Sequence, residues 1–272
     1  MNNLKNAAGF LQENGFTGAK TAVVLGSGLG GFADEVINPV AVEMRKIPGY
    51  PAPSVEGHGG RILIGEIEGA RVLVYQGRAH LYEGHSPGIV CAPVIVSRLL
   101  GVESIILTTA SGAINPDFTP GDLMLMEDFI TLGFNITFED IFPGKIRRAA
   151  QTVFPDKELF NAAIFAAENA GVNLRRGIFG YASGPSYETP SEVKALRFAG
   201  ADAVSMSTVP EIIAATGLGM KTAAFSCITN MAAGISAAPL THDEVQEVGK
   251  KLAEPFKIIV KGMLADRKPA ER

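Results

Sequence analysis

Tryptophan is absent from this chain of 272 residues, and cysteine occurs only twice. Cys91 and Cys227 stand far apart without metal-ligand spacing. Each sits in an apolar stretch and reads as a small buried hydrophobe. H-E-x-x-H, Cys-x-x-Cys, the P-loop and G-x-S-x-G are all missing, which removes support for metalloenzyme, kinase and serine-hydrolase readings. No run of about 18 apolar residues spans a bilayer. The N-terminus MNNLKNAAGFLQENG lacks a charged leader, apolar core and cleavage site, so a cytoplasmic protein is expected. Positive charge is not in excess: the net charge is −4, and nucleic acid is a poor partner for such a chain. No Pro/Ser-rich linker and no internal repeat divides the sequence, which points to a single domain over 1–272.

What is present is an ordinary globular balance, 47% hydrophobic and 19% charged, with no disorder signature. The 31 glycines suggest tight turns and close backbone approaches. Leu4 to Glu13 reads as an amphipathic helix and Thr21 to Leu25 as a buried strand running into glycines 26 to 31. Pro39, Pro48, Pro51 and Pro53 mark residues 39 to 54 as irregular chain. Arg61 to Ile67 and Ala70 to Tyr75 flank Glu68-Gly69 and predict a hairpin. Pro87 to Leu100 reads as one helix with proline at its start. Ser104 to Thr109 is an apolar strand, followed by the loop ASGAINPDFTPGD. A helix near 156–170, strands near 177–182, 201–205 and 221–228, and a closing helix from Thr241 to Leu264 complete the alternation. The fold class expected is α/β, a mixed, mostly parallel central sheet flanked by helices.

Gly26-Ser27-Gly28-Leu29-Gly30-Gly31 has the spacing G-x-G-x-x-G directly after a strand. A dinucleotide-binding unit needs a crossover helix, a second parallel strand and an acidic residue about 20 positions on. The proline-bearing segment occupies that place. Two readings stay open for the loop: an anion cradle, with Ser27 adding a hydroxyl, or a tight turn without a ligand. Gly77 to Gly84 places Arg78, His80 and Tyr82 at alternating positions, on one side of an extended segment. The arginine fork fits phosphate oxygens and the imidazole can supply a further donor. His58 and His85 are loop histidines, more often structural or exposed than functional. His242 lies beside Asp243 at the start of the last helix.

The most informative stretch is Ser183 to Glu211, SGPSYETPSEVKALRFAGADAVSMSTVPE. It delivers the Glu188 carboxylate, the Met206 thioether and the Ser207 hydroxyl near strand ends, where α/β proteins build ligand sites. Taken alone, Glu188 could be a favourable helix-terminus charge, and Asn230 a plain turn residue. Together GSGLGG, QGRAHLYEGH, TTASGAIN, SGPSYETPSE, GADAVSMSTVPE and CITN, in this order, resemble the purine nucleoside phosphorylases of the trimeric type.

That resemblance implies phosphorolysis of purine nucleosides, inosine, guanosine and their deoxy forms, to free base and ribose 1-phosphate in purine salvage. It implies no metal or organic cofactor, phosphate as co-substrate, and a homotrimer. Phosphate would be held by Ser27, His58, Arg78, His80, the backbone N–H of Ala110 and Ser207. The sugar would meet Tyr82, Met206 and His242. The purine would be gripped by Glu188 and Asn230, with Tyr187 and Val204 along its ring; His80, Glu188 and Asn230 are the catalytic candidates. Related methylthioadenosine phosphorylases carry aspartate where Asn230 stands, so the amide favours 6-oxopurines.

Residues 132 to 154 depart from the family. An Asn-Pro-Leu-like stretch is missing, and Phe138, Phe134 and Phe142, in that order, are candidates for the aromatic that covers a neighbouring subunit's sugar. None is carried over. Three alternatives remain: a 6-aminopurine or methylthioadenosine phosphorylase, a non-catalytic nucleoside-binding protein, and a nucleotide-dependent oxidoreductase.

Overall fold

The structure, a computed structural model, describes residues 2–53, 59–131, 137–142, 154–235 and 242–265. The N-terminal half runs α1 (Asn2–Glu13), β1 (Thr21–Leu25), β2 (Ile37–Glu43), β3 (Arg61–Ile67) and β4 (Ala70–Gln76). It continues through α2 (Pro87–Val90), α3 (Ala92–Leu99), β5 (Ser104–Ala113), β6 (Leu123–Ile130) and α4 (Phe138–Ile141). Then come α5 (Lys157–Ala170), β7 (Leu174–Tyr181), α6 (Pro190–Phe198) and β8 (Ala203–Ser205). The chain closes with α7 (Val209–Gly217), β9 (Lys221–Met231) and α8 (His242–Ala265).

Among the described residues the strands make one nine-stranded sheet, ordered β2-β3-β4-β1-β5-β8-β7-β6-β9. β9 also pairs with β5, so the last five strands of that order close into a ring. β1 runs parallel to β4 and β5, and β5 parallel to β9. β8 runs against β5, and β6 against β9. This is the mixed sheet that the sequence predicts. The β3–β4 hairpin turns at Glu68 and Gly69, whose φ values of 50° and 75° suit the mirror-image turn of two-residue hairpins.

Alternate strand residues feed opposite faces. Val24, Ile105 and Leu107 join Leu4, Leu11, Ile95 and Ile212 in one core under α1, α3 and α7. Val23, Leu25 and Ile106 join Leu159, Phe256 and Ile259 in a second core under α5 and α8. Both cysteines are buried, as expected. Local signals set the helix ends. Asp156 accepts from the Leu159 N–H at 3.1 Å to start α5, and Gly171 ends it with φ 65°.

Three local expectations are corrected, and one strand is added. Residues 37–43 of the proline-bearing segment form β2, an edge strand antiparallel to β3. Its register shifts between Ile37 and Val40, so Pro39 sits at an irregularity on an outer strand, where a missing N–H costs no ladder bond. The helix predicted from Pro87 to Leu100 breaks at Cys91, because Pro93 has no N–H for the preceding turn. β5 runs on to Ala113 and takes in the first residues of the expected loop. β6, LMLMEDFI, is a strand the sequence analysis did not name; its buried first half gives way to exposed acids, which blurs the period.

Candidate active site

The glycine loop follows β1 and is fastened to β5. The Gly26 N–H donates to Thr108 Oγ1 at 2.7 Å, and that hydroxyl donates to the Val24 carbonyl at 2.9 Å. A Cβ on Gly26 would stand 3.0 Å from the Thr108 carbonyl oxygen and 3.2 Å from Arg78 Nη2, so glycine permits this approach. After the loop comes a short 3-10 turn, Gly30–Glu35, and then the antiparallel edge strand. The crossover helix and second parallel strand of a dinucleotide unit are not at this place, and the oxidoreductase alternative loses its support.

Gln76 ends β4, and Gly77 leads into Arg78, which is 2% exposed. Its Nη1 donates to Glu211 Oε2 at 2.8 Å and to Thr208 Oγ1 at 3.3 Å; Nη2 donates to the Thr108 carbonyl. Thr208 holds φ 75°, a costly conformation for a β-branched residue, just before α7.

His80 Nδ1 lies 2.9 Å from Glu83 Oε1, and the ring stacks on Tyr82. Burial, then the nearby Arg78 charge, lower the His80 pKa to about 4 against the opposing pull of Glu83. The ring is therefore neutral at pH 7. Nδ1 faces the Glu83 carboxylate, and a neutral imidazole offers one donor and one acceptor. Burial likewise raises the Tyr82 phenol to about 12.

Glu188 precedes α6 but does not serve its terminus. Thr189 caps the helix, accepting from the Glu192 N–H at 3.2 Å, and Glu192 returns a bond to the Thr189 N–H at 2.7 Å. Glu188 Oε1 is buried without a hydrogen-bond partner, and burial raises the carboxyl's pKa. Asn230 is a strand residue of β9 rather than a turn. Thr229 Oγ1 donates to its Oδ1 at 2.8 Å, and its Nδ2 donates to the Met231 carbonyl at 3.0 Å. These two bonds assign the amide's orientation and leave one N–H for a ligand. Ser207 Oγ lies 2.9 Å from Thr109 Oγ1.

Ser27, Arg78, His80, Tyr82, Ala110, Tyr187, Glu188, Val204, Met206, Ser207 and Asn230 all line one cavity. Loops after β1 and β4, the ends of β5, β8 and β9, and the segment after β7 thus converge. His58 and Phe134 lie outside the described residues, as do the side chains of Phe138 and His242. Phe142 is buried in the core at 2% exposure, which withdraws it as a cover for a neighbour's sugar. Sequence reasoning missed Glu83, Thr109, Thr229 and Glu211. Glu83 stood within a quoted motif three residues after His80, the one signal available for it. Among the described residues no cluster of three or more His, Cys, Asp or Glu could hold a metal ion, and no helix is long and apolar enough to cross a membrane.

The mixed sheet and the polar cavity at its strand ends, with one buried Glu188 oxygen unpartnered, fit a nucleoside-phosphorylase type of protein. The sequence profile of the phosphorylase superfamily matches residues 20–265. Purine nucleoside phosphorylase 1 of Bacillus subtilis is 43% identical over 268 residues, covering 96% of this chain and 97% of its own. The rat purine nucleoside phosphorylase is 37% identical, covering 93% and 91%. A solved Schistosoma mansoni purine nucleoside phosphorylase in complex with adenosine superposes with a TM-score of 0.90 at 31% identity, covering 99% of this chain and 98% of that one. The same enzyme in complex with inosine gives 0.89. The chain belongs to the phosphorylase superfamily and, within it, to the purine nucleoside phosphorylases.

Proposed function

We propose that this cavity carries out phosphorolysis of 6-oxopurine nucleosides, inosine and guanosine foremost. The observation that carries the reading is the pairing of a buried, unpartnered Glu188 oxygen with an oriented Asn230 amide in one cavity. Glu188 accepts from a ring N–H of the purine, while Asn230 donates its remaining N–H to the N7/O6 edge. Tyr187 and Val204 flank the ring, and Tyr82, Met206 and His242 meet the sugar.

Phosphate sits among Ser27, His58, Arg78, His80, Ser207 and the Ala110 N–H. A phosphate oxygen forms a bond to the anomeric carbon as the bond to N9 breaks, and the bonding pair leaves with the purine. Phosphate is already an anionic nucleophile, so positioning and charge stabilisation dominate. Neutral His80 shares a hydrogen bond with phosphate through its imidazole. Asn230 stabilises charge on the departing base.

Hypoxanthine release from inosine, followed with and without phosphate and with a chelator present, tests the reading. Release should require phosphate and persist under chelation. Phosphate-independent release, or a loss that added metal restores, would overturn it. A homotrimer in the cytoplasm completes the proposal, and light scattering after size exclusion checks the assembly.

A further inference from the structure

Arg78 is the most buried charged group lining the cavity, at 2% exposure, yet Glu211, which shares its charge, does not line it. Side-chain exposures are 1% for Arg78 and 0% for Glu211, and the pair meets at 2.8 Å. Glu211 stands in the first turn of α7, and Arg78 contacts that turn again through Thr208. We propose that Glu211 is a resident counter-anion for Arg78, a positioning residue that fixes the guanidinium and offsets its charge until phosphate arrives. The inference rests on the phosphate reading above.

A guanidinium removed from water needs a counter-charge, and a buried pair that loses one member is strongly destabilised. Glu211 supplies that charge from behind, on the side away from the cavity. Burial raises the pKa of Glu211 in spite of the opposing pull of Arg78, so the geometry of the pair, and not its titration, carries the assignment. With Arg78 offset and His80 neutral, the cavity carries far less positive charge than its residue types suggest. An arriving phosphate dianion then meets an arginine already shared with a buried carboxylate 2.8 Å away. That fixed negative charge weakens phosphate binding and, equally, the binding of the sugar phosphate that must leave. Thus the pair holds the fork ready while keeping its grip moderate.

Glu211→Gln tests this with inorganic phosphate as the probe and sodium chloride at equal ionic strength as control. Without phosphate the variant should melt below the unsubstituted enzyme, because Arg78 lacks its counter-charge. With saturating phosphate its melting temperature should rise by more than the enzyme's own rise, since the anion replaces the missing charge. Phosphate should bind about tenfold more tightly, the scale expected from one partly screened charge a few ångströms away. The KM for phosphate should fall with it, while that for inosine stays within about twofold. Glu211→Asp, which keeps the carboxylate, should restore the smaller phosphate response.

A phosphate response in Glu211→Gln equal to or below that of the enzyme overturns the inference. Absence of any phosphate response in the unsubstituted enzyme overturns the phosphate reading and this inference with it. If Glu211→Gln is recovered only as aggregate, refolding with phosphate should restore soluble protein where chloride does not. Failure of phosphate to do so also counts against Glu211 as counter-anion.

Discussion

The rings of His80 and Tyr82 lie stacked, centroids 4.8 Å apart and planes 12° from parallel, with Glu83 bonded to the imidazole edge. Burial, then the Arg78 charge, disfavours the charged imidazole. An ordinary histidine titrates near 6.5, whereas His80 titrates at about 4. Between these values the unfolded chain binds a proton that the folded chain refuses, so stability falls as pH drops through that window. Above pH 6.5 the contribution is fully present. Urea unfolding at pH 7 and pH 4.5 should show a larger loss for the enzyme than for His80→Gln, by on the order of 2 kcal/mol. Equal losses would show that His80 is not held neutral.

Glu188→Ala should lower kcat/KM for inosine by several powers of ten while the protein stays folded, because the base loses its charged acceptor. Since burial raises the Glu188 pKa, the acid limb of the enzyme's kcat/KM profile should lie above the usual glutamate range. Glu188→Gln should abolish that limb. Near-normal kinetics in a folded Glu188→Ala protein would remove Glu188 from the site.

Asn230→Asp exchanges an amide that donates for a carboxylate that only accepts when ionised. Turnover of inosine should fall, since a hydrogen bond is lost and like charge faces the departing base. The carboxylate can accept from a 6-amino group, so the adenosine-to-inosine ratio of kcat/KM should rise by about tenfold or more. An unchanged ratio would mean that Asn230 does not read the purine 6-position.

Gly184 has φ 67°, and a Cβ there would lie 2.4 Å from Met206 Sδ and 3.2 Å from a Tyr82 ring carbon. Gly184→Ala should therefore displace the two side chains assigned to the sugar. KM for inosine should rise about tenfold or more, with stability reduced by about 1 kcal/mol. A KM within twofold of the enzyme's would separate Gly184 from sugar placement.

Much of the fold was legible where local chemistry decides it. Glu68-Gly69 announced its hairpin, whereas the Thr189–Glu192 capping box that starts α6 was read only from the structure. The cavity residues were legible because six motifs carried them, and eleven of those residues meet in one cavity. What local chemistry does not encode was not legible. Glu211 lies 133 residues from Arg78 and, in a helix's first turn, looks like an ordinary dipole partner. The edge strand β2 carries a proline that argues against a strand until its outer position is known. Ring closure between β5 and β9 depends on long-range register, which no short window contains.

That closure gives β5 an unusual place. It pairs with β9 along its length, with β1 over its first residues and with β8 at its end. Thr108, Thr109 and Ala110, which set the floor beneath Arg78 and Ser207, lie between the β1 and β8 ladders and pair with Phe225, Ser226 and Cys227 of β9. In amide exchange this floor should be among the last segments to take up deuterium, exchanging only through global unfolding. The anchoring end of the cavity would keep its shape through every excursion short of that, while the Tyr187–Glu188 segment, riding on a loop, is the side left to adapt.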